Sequence, residues 1–174
     1  MRFSVFLCVI FLSVFFMTGE SYSLILESDA FKDGEEIPLR YTGDGDDMSP
    51  ALRWSDVPEG TESFALIMDD PDAPFGVWVH WVVYDIPDDK ESLEENMPKE
   101  TLLTGGIRQG VNSFRRVGYN GPHPPKGTSH RYVFTLYALS AKTGIGPAGT
   151  KEAVMDAVKG DVLAEASLTG VYSR

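Results

Sequence analysis

Past an apolar opening stretch, the hydrophobic positions of this chain fall into short runs broken by turn residues. Phe64 to Met68 (FALIM) is unbroken, the pattern of a buried strand. Val77 to Ile86 (VWVHWVVYDI) is dense in β-branched and aromatic residues and predicts a second strand, and Arg131 to Leu139 (RYVFTLYAL) a third. Turn signals separate the runs: Asp33-Gly34, Gly43-Asp44-Gly45-Asp46, Pro58-Glu59-Gly60, Pro87-Asp88-Asp89 and Gly144 to Gly149. Near the C-terminus the period changes. Thr150 is suited to cap a helix from Lys151 to about Lys159, with Val154, Ala157 and Val158 at helical spacing and Gly160 as its stop. From Val162 the period is two: Val162, Ala164, Ala166, Leu168 and Tyr172 alternate with Leu163, Glu165, Ser167 and Thr169, which predicts a closing strand. Many short strands with one or two helices predict a mainly β protein, a β-sandwich with Greek-key connections and peripheral helices.

The opening stretch is a separate object. Met1-Arg2 is positive, Phe3 to Met17 is almost unbroken in apolar residues, and small residues follow at Gly19, Ser21 and Ser23. That order is the order of a secretory signal peptide, with a cut expected before Leu24 or before Tyr22. The run is shorter than the roughly 20 residues of a spanning helix; an uncleaved anchor is the alternative. Residues 1–23 are therefore read as a leader and residues 24–174 as one domain, exported to the periplasm or secreted. Cys8, the only cysteine, lies inside the leader, so the exported chain has neither a disulfide nor thiol chemistry. Charge narrows the partners further. The 15 Lys and Arg face 26 Asp and Glu, a formal net of −11, which excludes a nucleic-acid partner and unassisted docking on anionic membranes.

Candidate chemistry is concentrated in two segments, which hold all three histidines. The first runs from Asp69 to Trp81 (DDPDAPFGVWVHW). Asp70 ends the predicted buried strand, and Pro71 and Pro74 stiffen the corner after it. By alternation Trp78, His80 and Val82 share one face, and Val79, Trp81 and Val83 the other. An imidazole in so apolar a run needs a partner, since leaving it unpaired costs about 1–3 kcal/mol; a satisfied core histidine is one reading of it. The second segment runs from Gly118 to Tyr132 (GYNGPHPPKGTSHRY). Its glycines and prolines make a side-chain-poor loop whose backbone N–H groups can cradle an anion. His130 follows, with Tyr132 on its face. An Asp, two His, a Tyr and glycine amides in one pocket favour an oxyanion such as phosphate. A zinc site fits poorly, because His123 and His130 are separated by a proline-rich loop. A nucleophilic hydrolase fits poorly too: Ser129 is adjacent to His130 and so points to the opposite face, and no nucleophile elbow is present.

These segments resemble the two signature regions of the phosphatidylethanolamine-binding protein family, in its bacterial and archaeal Raf-kinase-inhibitor-like branch. The resemblance runs from about Leu24 to the C-terminus. It includes Phe31-Lys32-Asp33-Gly34, Ile37-Pro38, Ser49-Pro50, Leu52-Arg53-Trp54, Val57-Pro58 and the closing LAEASLTGVY of Leu163 to Tyr172. It implies the family's β-sandwich and a small anion-binding pocket. Asp70 matches the pocket aspartate, His80 the first pocket histidine and Trp78 a wall. Gly118 and Gly121 match the pocket glycines, with Pro122 alongside; His130 matches the second histidine and Tyr132 the aromatic. His123 falls where the motif varies and is read as a loop residue. Two departures stand out: the leader, where most prokaryotic relatives are read as cytoplasmic, and Gly43, where many carry a cysteine. The implied function is binding of a phosphate-bearing head group or similar small anion, with regulatory or inhibitory output, no enzymatic activity and no cofactor. Animal members inhibit kinases, but a kinase partner does not fit an exported protein. The alternatives are a surface-acting inhibitor of an extracytoplasmic peptidase, whose partner would be a protein target, and a hydrolase. A homodimer through an apolar sheet face stays open.

Overall fold

The computed structural model describes residues 23–174. The leader expected over residues 1–23 therefore lies outside the described residues, Ser23 excepted. Two antiparallel sheets form the body. The smaller has the order β1 (Ile25–Glu27), β2 (Leu52–Ser55), β5 (Ser92–Leu93). The larger has the order β6 (Arg108–Gln109), β4 (Trp78–Pro87), β3 (Ser63–Asp70), β7 (Ser129–Leu139), β8 (Val162–Ser173). Sequence neighbours are not always sheet neighbours. After the β3–β4 hairpin the chain leaves for the small sheet at β5, returns beside β4 at β6, then crosses to the far side of β3 at β7. That last crossover, residues 110–128, carries most of the second signature segment over the ends of β4 and β3.

The unbroken run Phe64–Met68 is explained by a central strand buried on two sides. Phe64, Leu66 and Met68 join Leu26, Leu52, Trp54 and Leu93 of the small sheet in the main core. Ala65 and Ile67 face the other way, with Val82 and Tyr84, against Val154 of the only α-helix among the described residues, α1 (Lys151–Ala157), and Val158 just past its end. Every residue from Phe64 to Met68 is at most 1% exposed. Burial this complete contributes roughly 1.5–3 kcal/mol for each large side chain.

α1 begins as predicted. Thr150 is extended and its hydroxyl accepts the Ala153 N–H at 3.3 Å. It ends earlier than predicted, at Ala157; Val158 already has ψ of 7°, and a turn follows to Gly160, whose φ is +96°. β8 keeps its period of two, and Ala166, Leu168 and Tyr172 are buried. Its first positions are not buried: Val162 and Leu163 are exposed, because β8 is the edge strand and its start extends past the core. The end of β8 secures the crossover, as Arg174 accepts the Gly127 N–H at 2.6 Å and donates to Thr128 O at 3.1 Å.

In β4 the simple alternation fails. Met68 pairs with Trp81, but the next residue, Asp69, pairs with Val79, so the intervening His80 is a bulge. Trp78, His80, Trp81 and Val83 consequently all face the inner side, while Val79 and Val82 join the helix-side cluster. The expectation that His80 shares a face with Val82, and Val79 a face with Trp81, is corrected by this one extra residue. The bulge gives the inner face both a core tryptophan and a site histidine at consecutive positions.

Candidate functional site

The bulge, the end of β3, the start of β7 and the crossover meet at one end of the main core. They enclose a cavity of about 200 Å³ lined by Asp70, Trp78, His80, His130, Tyr132 and the prolines and aromatics of the flanking loops. Asp70 is the last residue of β3 and is buried. One of its oxygens accepts the Asp72 N–H at 2.9 Å, which closes the corner stiffened by Pro71. The other accepts the His130 Nδ1–H at 2.7 Å. His130 thus enters from β7 with its ring fixed by a buried carboxylate, and its Nε2 is the nitrogen left for a ligand.

His80 is anchored differently. Its Nδ1–H donates to the Asn120 carbonyl at 2.7 Å, and its ring stands edge-on to Tyr132 and to Phe114, with centroids 5.1 and 5.2 Å away. Burial pushes the imidazole pKa down; the Asn120 carbonyl and the charge of Asp70 oppose this and do not overcome it. His80 therefore presents an Nε2 lone pair. Tyr132 is fully buried, and its hydroxyl has no hydrogen-bond partner among the described residues. Burial, and next the charge of Asp70, push this phenol upward, while the His123 backbone N–H pulls the other way. It stays a donor at any working pH.

Gly118, Gly121 and Pro122 do not line this cavity. The Gly121 N–H donates to Asp47 at 2.6 Å, and Pro122 O accepts from Gly43. A Cβ on Gly121 would stand 2.4 Å from Tyr41 O, so the glycine is there for close backbone approach. Gly118 has φ of +86° and packs on Lys99. Gly121 instead lines a neighbouring cavity with Asp47, Asn120 and Arg116, and the two cavities share Phe114 and His123 as a wall. His123, read from the sequence as a loop residue, thus borders the site, with its Nδ1 3.5 Å from Asp44.

Several residues at the site carried no signal that singled them out. Asn112 holds the crossover by donating to Asn120 Oδ1 and Gly118 O, at 2.8 and 2.9 Å. Phe114 packs edge-on against Trp78 at 5.5 Å. Asp72 clamps Arg131 through its backbone N–H, Nε and Nη2, at 2.9, 2.9 and 2.7 Å, and these bonds hold its carboxyl down at about 2. At the mouth, Phe75 is almost wholly exposed, and Val77, Trp78 and Phe114 are partly so. Among the described residues no cluster of three or more His, Cys, Asp or Glu could hold a metal ion. Nor is any described helix long and apolar enough to cross a membrane.

Comparison with known proteins gives one consistent picture. Residues 27–173 match the family model described as phosphatidylethanolamine-binding protein. The chain is 52% identical over 149 residues to the UPF0098 protein of Aquifex aeolicus, covering 84% of this chain and 86% of that one. It is 38% identical over 156 residues to the UPF0098 protein YbhB of Escherichia coli, covering 85% and 99%. Among solved structures it is similar to Escherichia coli YbcL, described as a member of the mammalian PEBP family, with TM-score 0.81, 34% identity and coverage of 87% and 99%. It is also similar to a phosphatidylethanolamine-binding protein homologue from Chlamydia trachomatis, with TM-score 0.80, 36% identity and coverage of 88% and 99%.

Proposed function

The chain belongs to the phosphatidylethanolamine-binding protein family, and from that premise we propose that its cavity binds a small oxyanion, foremost a phosphate-bearing head group, in a regulatory or inhibitory role rather than a catalytic one. The observation that carries this reading is the Tyr132 hydroxyl, buried without a partner in a cavity that two ring nitrogens also enter. A buried hydroxyl left unsatisfied costs about 1–3 kcal/mol, and a ligand oxygen removes that cost. The size agrees: about 200 Å³ is below the range that takes drug-sized molecules, roughly 300–1,000 Å³. Export by the N-terminal leader belongs to the same proposal, and N-terminal sequencing of the protein recovered outside the cytoplasm tests it. Calorimetric titration with phosphate and phosphoethanolamine tests the binding itself. Saturable binding in the wild-type protein, lost in His130→Ala, is expected. No heat from either ligand with the fold intact overturns the proposal.

A second reading is favoured by the loop at the mouth. Phe75 is 98% exposed between Pro74 and Gly76, on a corner held to β7 by the Asp72–Arg131 clamp. A stiff loop presenting a bare aromatic suits insertion into a protein target, such as an extracytoplasmic peptidase. Inhibition of envelope peptidases by the wild-type protein but not by Phe75→Ala would support this; no inhibition by the wild-type protein would remove it, and equal inhibition by both would remove the Phe75 loop from it.

A further inference from the structure

The cavity has an unusual charge inventory for an anion site. No Lys or Arg is among the described residues that line it, and one carboxylate is. Of the neighbouring cations, Arg131 and Lys99 are engaged by Asp72 and Asp47 at 2.7 and 2.6 Å, and Arg116 lines the adjacent cavity instead. Several of the backbone donors around it are also committed. The Asn120 N–H goes to His80 O, the Gly121 N–H to Asp47, the Arg131 N–H to Asp72, and Pro122, Pro124 and Pro125 have none. What remains for a ligand is the Tyr132 hydroxyl, toward which the His123 N–H is directed, with the Trp78 indole and the Ala73 and Phe75 N–H groups of the flanking loop, against two Nε2 atoms. Nδ1 of His80 donates to Asn120 O and burial keeps its ring neutral, so its Nε2 is an acceptor, while Nδ1 of His130 donates to Asp70 and leaves its Nε2 facing the cavity.

Resting on the oxyanion reading, we propose that this cavity selects oxyanions that carry a proton, so that it takes phosphoric or phosphonic monoesters in their hydrogen-bearing form and rejects sulfate. A phosphoryl O–H donates to an Nε2 lone pair while the unprotonated oxygens accept from Tyr132. Sulfate has no proton to offer near neutrality, so it places bare oxygens against the His80 lone pair and a buried carboxylate. A monoester dianion must first gain a proton from solvent. That proton is held between a phosphoryl oxygen and an imidazole, and one is taken up for each dianion bound. Every group facing the two rings bears on this balance. Asp70 of β3 faces both; Asp72 adds its charge at His130; Asp47 adds its charge at His80; Tyr132 of β7 and His123 of the crossover complete the surround. Asp70 and Asp47 favour the imidazolium of His80, but its burial outweighs them.

The test is calorimetry of the purified protein with inorganic phosphate, methyl phosphate and sulfate from pH 6 to pH 9, each in two buffers of different ionisation enthalpy. Phosphate and methyl phosphate are expected to bind, and sulfate at pH 7 to bind at least about tenfold more weakly, the loss of one hydrogen bond to a buried acceptor. Methyl phosphate affinity should fall about tenfold per pH unit above neutrality, the signature of one proton taken up, with a matching difference in heat between the buffers. The variant His80→Gln, which places an amide donor beside the cavity, should narrow the gap between phosphate and sulfate. Sulfate binding as tightly as phosphate, without proton uptake, overturns the selection and leaves the oxyanion pocket standing. If no ligand binds, the pocket reading falls and the selection with it.

Discussion

Two titrating groups at the site both have folded pKa values below their ordinary ones, so both lose their contribution to stability as acid is added, in different pH windows. His80 has its folded pKa below the ordinary value of 6.5 because of burial. In the window below 6.5 the unfolded chain binds the extra proton, so the contribution of His80 is full above that value and is lost as pH falls. Denaturant midpoints of wild type and His80→Gln are therefore expected to converge between pH 7 and pH 5; midpoints running parallel would count against a buried neutral ring. Asp72, held down at about 2 from 3.8 by Arg131, should act lower still, its contribution present above 3.8 and fading only toward 2. That pair is exposed, and screening keeps its contribution small. The same comparison between wild type and Asp72→Asn, run from pH 5 to pH 2.5, shows it. His80 was legible in the chain because it interrupts an apolar run that predicts a strand, and Asp70, His130 and Tyr132 because they sit at the ends of such runs, next to the proline- and glycine-rich segments. A polar group there has to find a partner. Asn112, Asn120, Asp47 and Asp72 were not legible, because they lie in loops, where polar residues are ordinary and their partners depend on how the crossover runs.

At the scale of elements, the strands could be read from composition and the helix from its cap, but the faces of β4 could not. Alternation assumes an unbroken ladder, and the bulge at His80 breaks it without any glycine or proline to announce it. The helix start has a testable worth: Thr150→Ala removes the bond to the Ala153 N–H and should cost about 1 kcal/mol in denaturant unfolding. Ligand affinity should not change, since α1 lies on the opposite face of the large sheet. The crossover behaves otherwise. Gly121→Ala drives a methyl against Tyr41 O at 2.4 Å, and relief requires moving the backbone that anchors His80. Overpacking of this kind costs roughly 1–3 kcal/mol, and here it should also weaken phosphate binding, which calorimetry on the folded variant measures. Loss of stability with unchanged affinity would show that the crossover and the His80 ring are not coupled.

Over the whole molecule, the field is that of a polyanion with a formal net charge of −11. An anion approaching the cavity meets repulsion from that field before it meets Tyr132. Raising ionic strength from about 10 to about 150 mM shortens the Debye length from roughly 30 to 8 Å and should therefore strengthen phosphate binding about two- to threefold, the reverse of the usual salt effect at anion sites. Weaker binding in salt would mean that a local cation governs the encounter. The placement of the site in the chain has a further outcome. His130 pairs in register with Tyr172, and the chain's final residue, Arg174, fastens the backbone at Gly127 and Thr128. The cavity draws on residues from Asp70 to Tyr132 but is braced by a strand that lies far downstream in the sequence. Cutting β8 back past Tyr172 leaves every lining side chain present and removes the brace, so the shape of the cavity depends on a segment that contributes nothing to its wall.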